Sequence, residues 1–258
     1  MSAEALLGVE GLALRVGGRS LVQGLDFAVR AGQFWCLLGQ NGAGKTTLLH
    51  ALAGLAAPSA GRIELAGRPL ESWTPREAAL RRGFLPQHSA YGFSMRALDV
   101  ALLGRYPHLG RRRWEDEEDL RLARGALARV DLAEVAERDV ATLSGGERQR
   151  TAIAALLAQD PPLYLLDEPL AHLDLRHQLQ IMSLLAELAR TQRRGVMLSL
   201  HDPSLAARFA THALLLFGNG KSICGAAGEV LNERALSEAY GHPVRRLAAG
   251  GAAAFVPE

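Results

Sequence analysis

Apolar and polar positions along the chain change period several times, and each change predicts an element. Residues 6 to 34 alternate apolar and polar side chains between glycines, which predicts short strands joined by turns. From residue 34 the alternation gives way to an unbroken apolar run, Phe34, Trp35, Cys36, Leu37 and Leu38, ended by Gly39. A strand covered on both faces requires such a run. A glycine-rich turn follows, and the stretch KTTLLHALAGL from residue 45 has helical spacing, with Gly54 as its stop. Two more buried-strand patterns lie at 163–168 (LYLLDE) and 195–202 (GVMLSLHD), separated by a helical pattern from 173 to about 191. Strands alternating with helices predict an α/β fold with a mostly parallel sheet and crossover connections.

From about 90 to 158 the chain is helix-rich and dense in charge, with no buried-strand pattern. This predicts a helical subdomain inserted into the α/β core of a single domain spanning residues 1–258. The run RRRWEDEEDLRLAR at 111–124 reads as a solvated helix face. The tail AAGGAAAFVPE, 248–258, reads either as a loose end or as a final edge strand, and no internal repeat is present.

Composition narrows the class. A chain of 258 residues can bury one large core, and a second full domain is not expected. Apolar residues make up 48% of it, but in runs such as LLLF at 214–217, far short of a membrane span. The N-terminus has no basic segment leading into an apolar stretch, so no signal peptide is expected, and the reading is a soluble, cytosolic protein. Cys36 and Cys224 have no metal-ligand spacing, which gives no structural metal. The net charge of +2 is scattered along the chain and offers no footprint for nucleic acid. Lys45 and Lys221 are the only lysines, so arginine supplies every other fixed cation.

That scarcity gives weight to Lys45. Gly39, Gln40, Asn41, Gly42, Ala43, Gly44, Lys45 and Thr46 fit G-x-x-x-x-G-K-[ST] after a buried strand and before a helix, the context of a P-loop. The glycines let backbone N–H groups turn inward on phosphate oxygens, and the helix N-terminus behind them adds partial positive charge. Lys45 is placed for the β and γ phosphates, where a compact ammonium fits better than a planar guanidinium. Thr46 is placed for Mg²⁺, and Thr47 completes the nucleotide-binding set. A P-loop alone leaves kinases, GTPases, helicases and transport ATPases open. Asp167 and Glu168 narrow the choice, because they end an apolar strand where ligands bind in open parallel sheets. Asp167 suits Mg²⁺, directly or through water, and Glu168 suits orienting or deprotonating an attacking water.

Leu143, Ser144, Gly145, Gly146 and Glu147, then Arg148, Gln149 and Arg150, precede by about twenty residues an apolar strand ending in an acidic pair. This arrangement resembles the signature of the ABC ATPase family. As plain chemistry, Ser144 and the two glycines open a helix whose N–H groups form a second anion site. The resemblance runs from about residue 8 to 245. It implies a P-loop NTPase core with an N-terminal antiparallel β subdomain. It also implies that Gln87 is the Q-loop glutamine touching Mg²⁺ or water, that Asp174 belongs to the D-loop (171–174), and that His201 is the switch histidine contacting the γ-phosphate. ATP and Mg²⁺ follow as cofactors. A head-to-tail homodimer follows too, in which Ser144, Gly145, Gly146 and Glu147 of one copy face the ATP of the other. Family members often carry an aromatic residue that stacks on adenine, near Val16 here. Residues 10–20 contain none, which leaves selectivity for ATP over GTP open.

One P-loop without a membrane segment resembles the arrangement of bacterial importers. The strings at 67–87, 103–110, 173–178 and 238–247 resemble ATPases serving ferric siderophore, haem and vitamin B12 uptake. The resemblance implies an ATP-hydrolysing subunit at the cytoplasmic face of a bacterial inner membrane. Its partners would be two membrane-spanning permease subunits and, indirectly, a periplasmic or surface substrate-binding protein. Two other classes share some motifs: a non-transport ABC ATPase of the iron–sulfur assembly or DNA repair type, and a P-loop kinase for a small molecule. Balanced charge weighs against DNA repair, and the signature residues weigh against the kinase.

Overall fold

A computed structural model describes residues 5–88, 94–110, 114–249 and 252–258. β1 (Ala5–Val16) and β2 (Arg19–Arg30) pair antiparallel around Gly17 and Gly18, which both take the positive φ that a two-residue hairpin loop demands. Where short strands were expected, the chain makes two long ones. Gly11 and Gly24 lie where the pairing register shifts, between Val9 and Leu12 on β1 and opposite the Leu12 to Leu14 step on β2. Each shift absorbs an extra residue as a bulge, so the strand bends and continues instead of turning back. β4 (Ala60–Leu65) joins β1, and β5 (Arg68–Pro69) joins β4, in a sheet of order β2-β1-β4-β5.

The unbroken apolar runs form a second sheet of order β10-β9-β3-β8-β7-β6. Its members are β3 (Phe34–Leu38), β6 (Arg82–Leu85), β7 (Leu163–Leu166), β8 (Gly195–Ser199), β9 (His212–Leu216) and β10 (Ser222–Ala226). All neighbours run parallel except β10, which is antiparallel to β9. The reason for the continuous apolar runs is visible in the packing. Phe34, Cys36 and Leu38 of β3 face one hydrophobic cluster, while Trp35 and Leu37 face the other. Tyr164 and Leu166 of β7 separate from Leu163 and Leu165 in the same way. Burying such a side chain contributes roughly 1.5–3 kcal/mol, so both faces favour the same composition.

The antiparallel sheet and α1 (Lys45–Leu52) cover one face. α2 (Pro75–Ala79) precedes β6, opened by a Thr74–Glu77 capping box. Between β6 and β7 the described residues hold α3 (Ala97–Leu103), α4 (Glu117–Arg129) and α5 (Gly145–Gln159), and no strand. Their apolar residues share one cluster with Phe34 and Tyr164, so these helices draw on the core of the sheet rather than building their own. Arg111, Arg112 and Arg113, which open the charge run, lie outside the described residues. From Glu117 the run forms the first turns of α4, with Asp116 at its N-cap and exposed Glu117 and Glu118 in its first turn. α6 (Leu175–Gln192), α7 (Pro203–Phe209), α8 (Ala227–Val230) and α9 (Glu233–Tyr240) complete the helices described.

The tail is neither a loose end nor an edge of the main sheet. β11 (Val244–Ala249) and β12 (Ala252–Pro257) pair only with each other, and Phe255 buries its ring in the core. The Phe255 N–H donates to the Ser204 hydroxyl on α7 at 2.9 Å.

Because β6, β7, β8 and β3 are parallel, their C-terminal ends lie on one edge. Gln87, Asp167 with Glu168, His201 and Gly39 each follow one of those ends within two residues. α3 meets α5 closely, and a Cβ on Gly104 would lie 1.9 Å from the Ala155 carbonyl oxygen. Gly104→Ala is therefore expected to destabilise the chain by about 1–3 kcal/mol, read as a lower urea midpoint at unchanged slope.

Candidate active site

The loop after β3 is shaped by close approach. Gly39 has φ 144°, and a Cβ there would lie 2.6 Å from the Leu216 carbonyl oxygen, so no larger residue fits. Lys45, the first residue of α1, is 6% exposed, and its Nζ donates to the carbonyls of Gly39 at 2.8 Å and Gln40 at 3.2 Å. Burial lowers its pKa from the ordinary lysine value, and the carboxylates of Glu168 and Asp167 push back upward. An ammonium has three donors, and two are given to the loop itself.

β7 ends in the acidic pair. Asp167 is fully buried, and its Oδ1 accepts from the Ser199 hydroxyl at 2.6 Å. Glu168 sits at φ 47°, a left-handed conformation that costs a non-glycine residue of order 1–3 kcal/mol. The Ser199 hydroxyl holds it there by accepting the Glu168 N–H at 2.7 Å. Glu168 Oε2 accepts from Gln87 Nε2 at 3.0 Å, and Oε1 lies 2.7 Å from His201 Nε2. Gln87, Glu168 and His201, drawn from three strand ends, are thus in direct contact.

Ser199 is the residue that sequence reasoning missed. One hydroxyl links both members of the pair across two neighbouring strands. The available signal was a small polar residue inside the buried run GVMLS, at the end nearest the acidic pair.

A cavity of about 530 Å³ is lined by Asn41, Gly42, Gly44, Lys45, Thr46 and Thr47 from the loop and α1, together with Gln87, Glu168 and His201. Val16, Arg19 and Leu21 line it as well. Asp167 Oδ2 is buried without a hydrogen-bond partner, and an orphaned carboxylate oxygen is suited to a hard cation. Thr46 and Gln87 line the cavity beside Glu168, so the candidate donors are few and oxygen-based. That fits Mg²⁺, which keeps waters and substrate phosphates among its ligands.

The signature residues stand elsewhere. Ser144 caps α5, its hydroxyl accepting the Glu147 N–H at 3.2 Å while Glu147 Oε2 accepts the Ser144 N–H at 2.7 Å. Those bonds hold the Glu147 carboxyl below the usual carboxylate range. Asp174 caps α6, accepting from the His177 backbone at 2.9 Å, which lowers its pKa in the same way. Ser144, Gly145, Gly146, Glu147 and Asp174 line a second cavity of about 480 Å³. They are not among the residues lining the cavity of Lys45, Glu168 and His201, although Gly145 shares a third cavity with Gln87.

Both the sequence and the fold have known relatives. The ABC transporter family matches residues 22–171. A hemin import ATP-binding protein of Streptomyces coelicolor is 43% identical over 241 residues, covering 93% of this chain and 85% of its own. A cobalamin import ATP-binding protein of Halobacterium salinarum is 35% identical over 234 residues, covering 91% of this chain and 58% of its own. Among solved structures, a chain of a metal-chelate type ABC transporter in an inward-facing conformation is similar with a TM-score of 0.86. That chain is 32% identical, and the match covers 99% of this chain and 98% of that one.

Ser199→Ala would strand the Glu168 N–H and leave both Asp167 oxygens without a donor. It is expected to destabilise the chain by about 1–3 kcal/mol in chemical denaturation.

Proposed function

The chain belongs to the ABC transporter family, and we propose that it is the ATP-hydrolysing subunit of a bacterial importer of haem or a similar metal chelate. The observation that carries this reading is the convergence of Lys45, Gln87, Asp167, Glu168 and His201 on one sheet edge beside a phosphate-binding loop. In this reading the N–H groups of residues 39–47 cradle the triphosphate, and Lys45 turns its remaining donor to the β and γ phosphates. Mg²⁺ held by Thr46, Asp167 and Gln87 would neutralise charge on those phosphate oxygens. Glu168 orients the attacking water and takes its proton. His201, its side chain half exposed, swings from Glu168 Oε1 towards the γ-phosphate, which frees that oxygen for the proton.

The separation of the two cavities supports a dimer. Ser144, Gly145, Gly146, Glu147 and Asp174 line a different cavity from the P-loop residues, so a second copy placed head to tail would close each ATP between unlike half-sites. Two permease subunits would supply the membrane passage, with a substrate-binding protein outside. Among the described residues no helix is long and apolar enough to cross a membrane. The likeness to a chain of a metal-chelate type ABC transporter supports membrane-spanning partner subunits, and a peripheral place on the cytoplasmic face belongs to the same reading. Haem is favoured as cargo by the 43% identity to a hemin import protein, against 35% to a cobalamin import protein. The non-transport alternative gains no support from these relatives.

Glu168→Gln is expected to bind Mg-ATP, to accumulate as a dimer on size-exclusion chromatography, and to lose turnover by about a hundredfold or more. Near-normal turnover would remove the role given to Glu168. Lys45→Ala should lose nucleotide binding, which calorimetry checks. In the source bacterium, deletion of the chain should abolish growth on haem as sole iron source, and Lys45→Ala should not restore it. Unimpaired growth would exclude haem as the cargo.

A further inference from the structure

The segment EAYGHPVRRL, 238–247, forms the end of α9, a glycine cap at Gly241 and the start of β11, and none of its residues is among those lining the P-loop cavity. It nonetheless touches two of the loops that carry the chemistry. Tyr240 is half-buried, its ring packed against the core cluster shared by the sheet and the helices. Its hydroxyl donates to the His201 carbonyl at 3.4 Å. Burial pushes its pKa up to about 12, the Gly39 backbone N–H bonded to the same oxygen pulls it back, and the Asp202 carboxylate raises it again. One residue on, Gly241 takes φ 65°, and a Cβ there would lie 3.3 Å from Gln40 Nε2. The end of α9 thus rests on Gly39 and Gln40 of the phosphate loop and on His201 of the loop after β8.

The backbone on either side of His201 is anchored separately. The Leu200 N–H donates to the Leu37 carbonyl of β3 at 3.0 Å, and Asp202 caps α7 by accepting the Ser204 N–H at 2.7 Å. α7 is tied in turn to the tail, through the Phe255 N–H that donates to the Ser204 hydroxyl. The His201 peptide is the link between these anchors, and its half-exposed side chain places Nε2 2.7 Å from Glu168 Oε1. Resting on the ATPase reading above, we infer that Tyr240 is a positioning residue whose hydroxyl pins the His201 peptide to the entrance of the phosphate loop, so that the imidazole turns from Glu168 to the γ-phosphate about a fixed backbone. Without that pin, His201 shifts relative to Gly39 and its ring meets the phosphate out of place. A misplacement of about 1 Å can cost up to a hundredfold in rate. Nucleotide binding itself is left alone, because Tyr240 does not line the cavity.

Tyr240→Phe keeps the ring in the core and removes the hydroxyl alone. In the full chain it should lower kcat for Mg-ATP by about three- to tenfold and leave KM within about twofold, the mark of an interaction that acts on the reacting state. Amide hydrogen exchange of the nucleotide-free chain should become faster by about threefold or more in residues 200–205 and stay unchanged in β3 and β7. A raised KM at unchanged kcat would make Tyr240 a support of nucleotide binding and overturn the inference. Faster exchange throughout the sheet would make it a folding contact and overturn it too. So would a fall in kcat with exchange at 200–205 unaltered, or no change in kcat. A wild-type chain that neither binds nor hydrolyses Mg-ATP would instead bring down the ATPase reading itself.

Discussion

The in-register parallel pairing of β6, β7, β8 and β3 is the constraint on which the rest of the molecule depends. Leu166 pairs with Leu85 on one side and Leu198 on the other, and Leu198 pairs in turn with Cys36. The four strands therefore finish within two residues of one another, and the residues just beyond them lie on one edge. A slip of one residue would turn every side chain to the opposite face. Both faces are apolar, so polarity alone would not resist the slip, but shape does. Tyr164 is wholly buried in the cluster that includes the helices on its side, while Leu163 and Leu165 face the cluster that includes α1, so a slip would exchange an aromatic ring for leucines in two close-packed layers. The slip would also part Ser199 from Asp167 and Glu168, undoing the link between neighbouring strands.

That edge buries charges of both signs without neutralising them directly. Lys45 gives its hydrogen bonds to carbonyl groups, and Asp167 receives one from a hydroxyl. Each buried charge costs several kcal/mol, and neutral partners offset only part of that. A ligand that brings a cation together with a polyanion satisfies both at once, as a metal–triphosphate complex does. The opposing influences on Lys45, burial lowering its pKa and the two carboxylates raising it, express the same arrangement.

Much of this was legible in the sequence because the relevant signals are local. The loop of residues 39–46 announces itself by glycine spacing, and β3, β7 and α6 by unbroken or helical periodicity. What the sequence hid was set by distant partners. β6 is four residues long and begins with an arginine, and it becomes a strand only through pairing with β7. Gly11 and Gly24 look like turn residues until the opposite strand shows them as bulges. Ser199 reads as an ordinary small residue because its two partners lie more than thirty positions away. The tail hairpin was ambiguous for the same reason, since Phe255 finds its place through α7. That the two cavities are separate within a chain follows from three-dimensional placement and has no local sign at all.

The left-handed backbone at Glu168 sets selection for folding against selection for work. Glycine or asparagine would occupy φ 47° more comfortably than glutamate, so the side chain persists only while its carboxylate earns its keep. In a lineage released from transport, drift should erode this position early and towards those two residues, leaving sturdier but idle descendants. Glycine or asparagine here, in an otherwise intact relative, would thus mark a lapsed motor before any of its other motifs decayed.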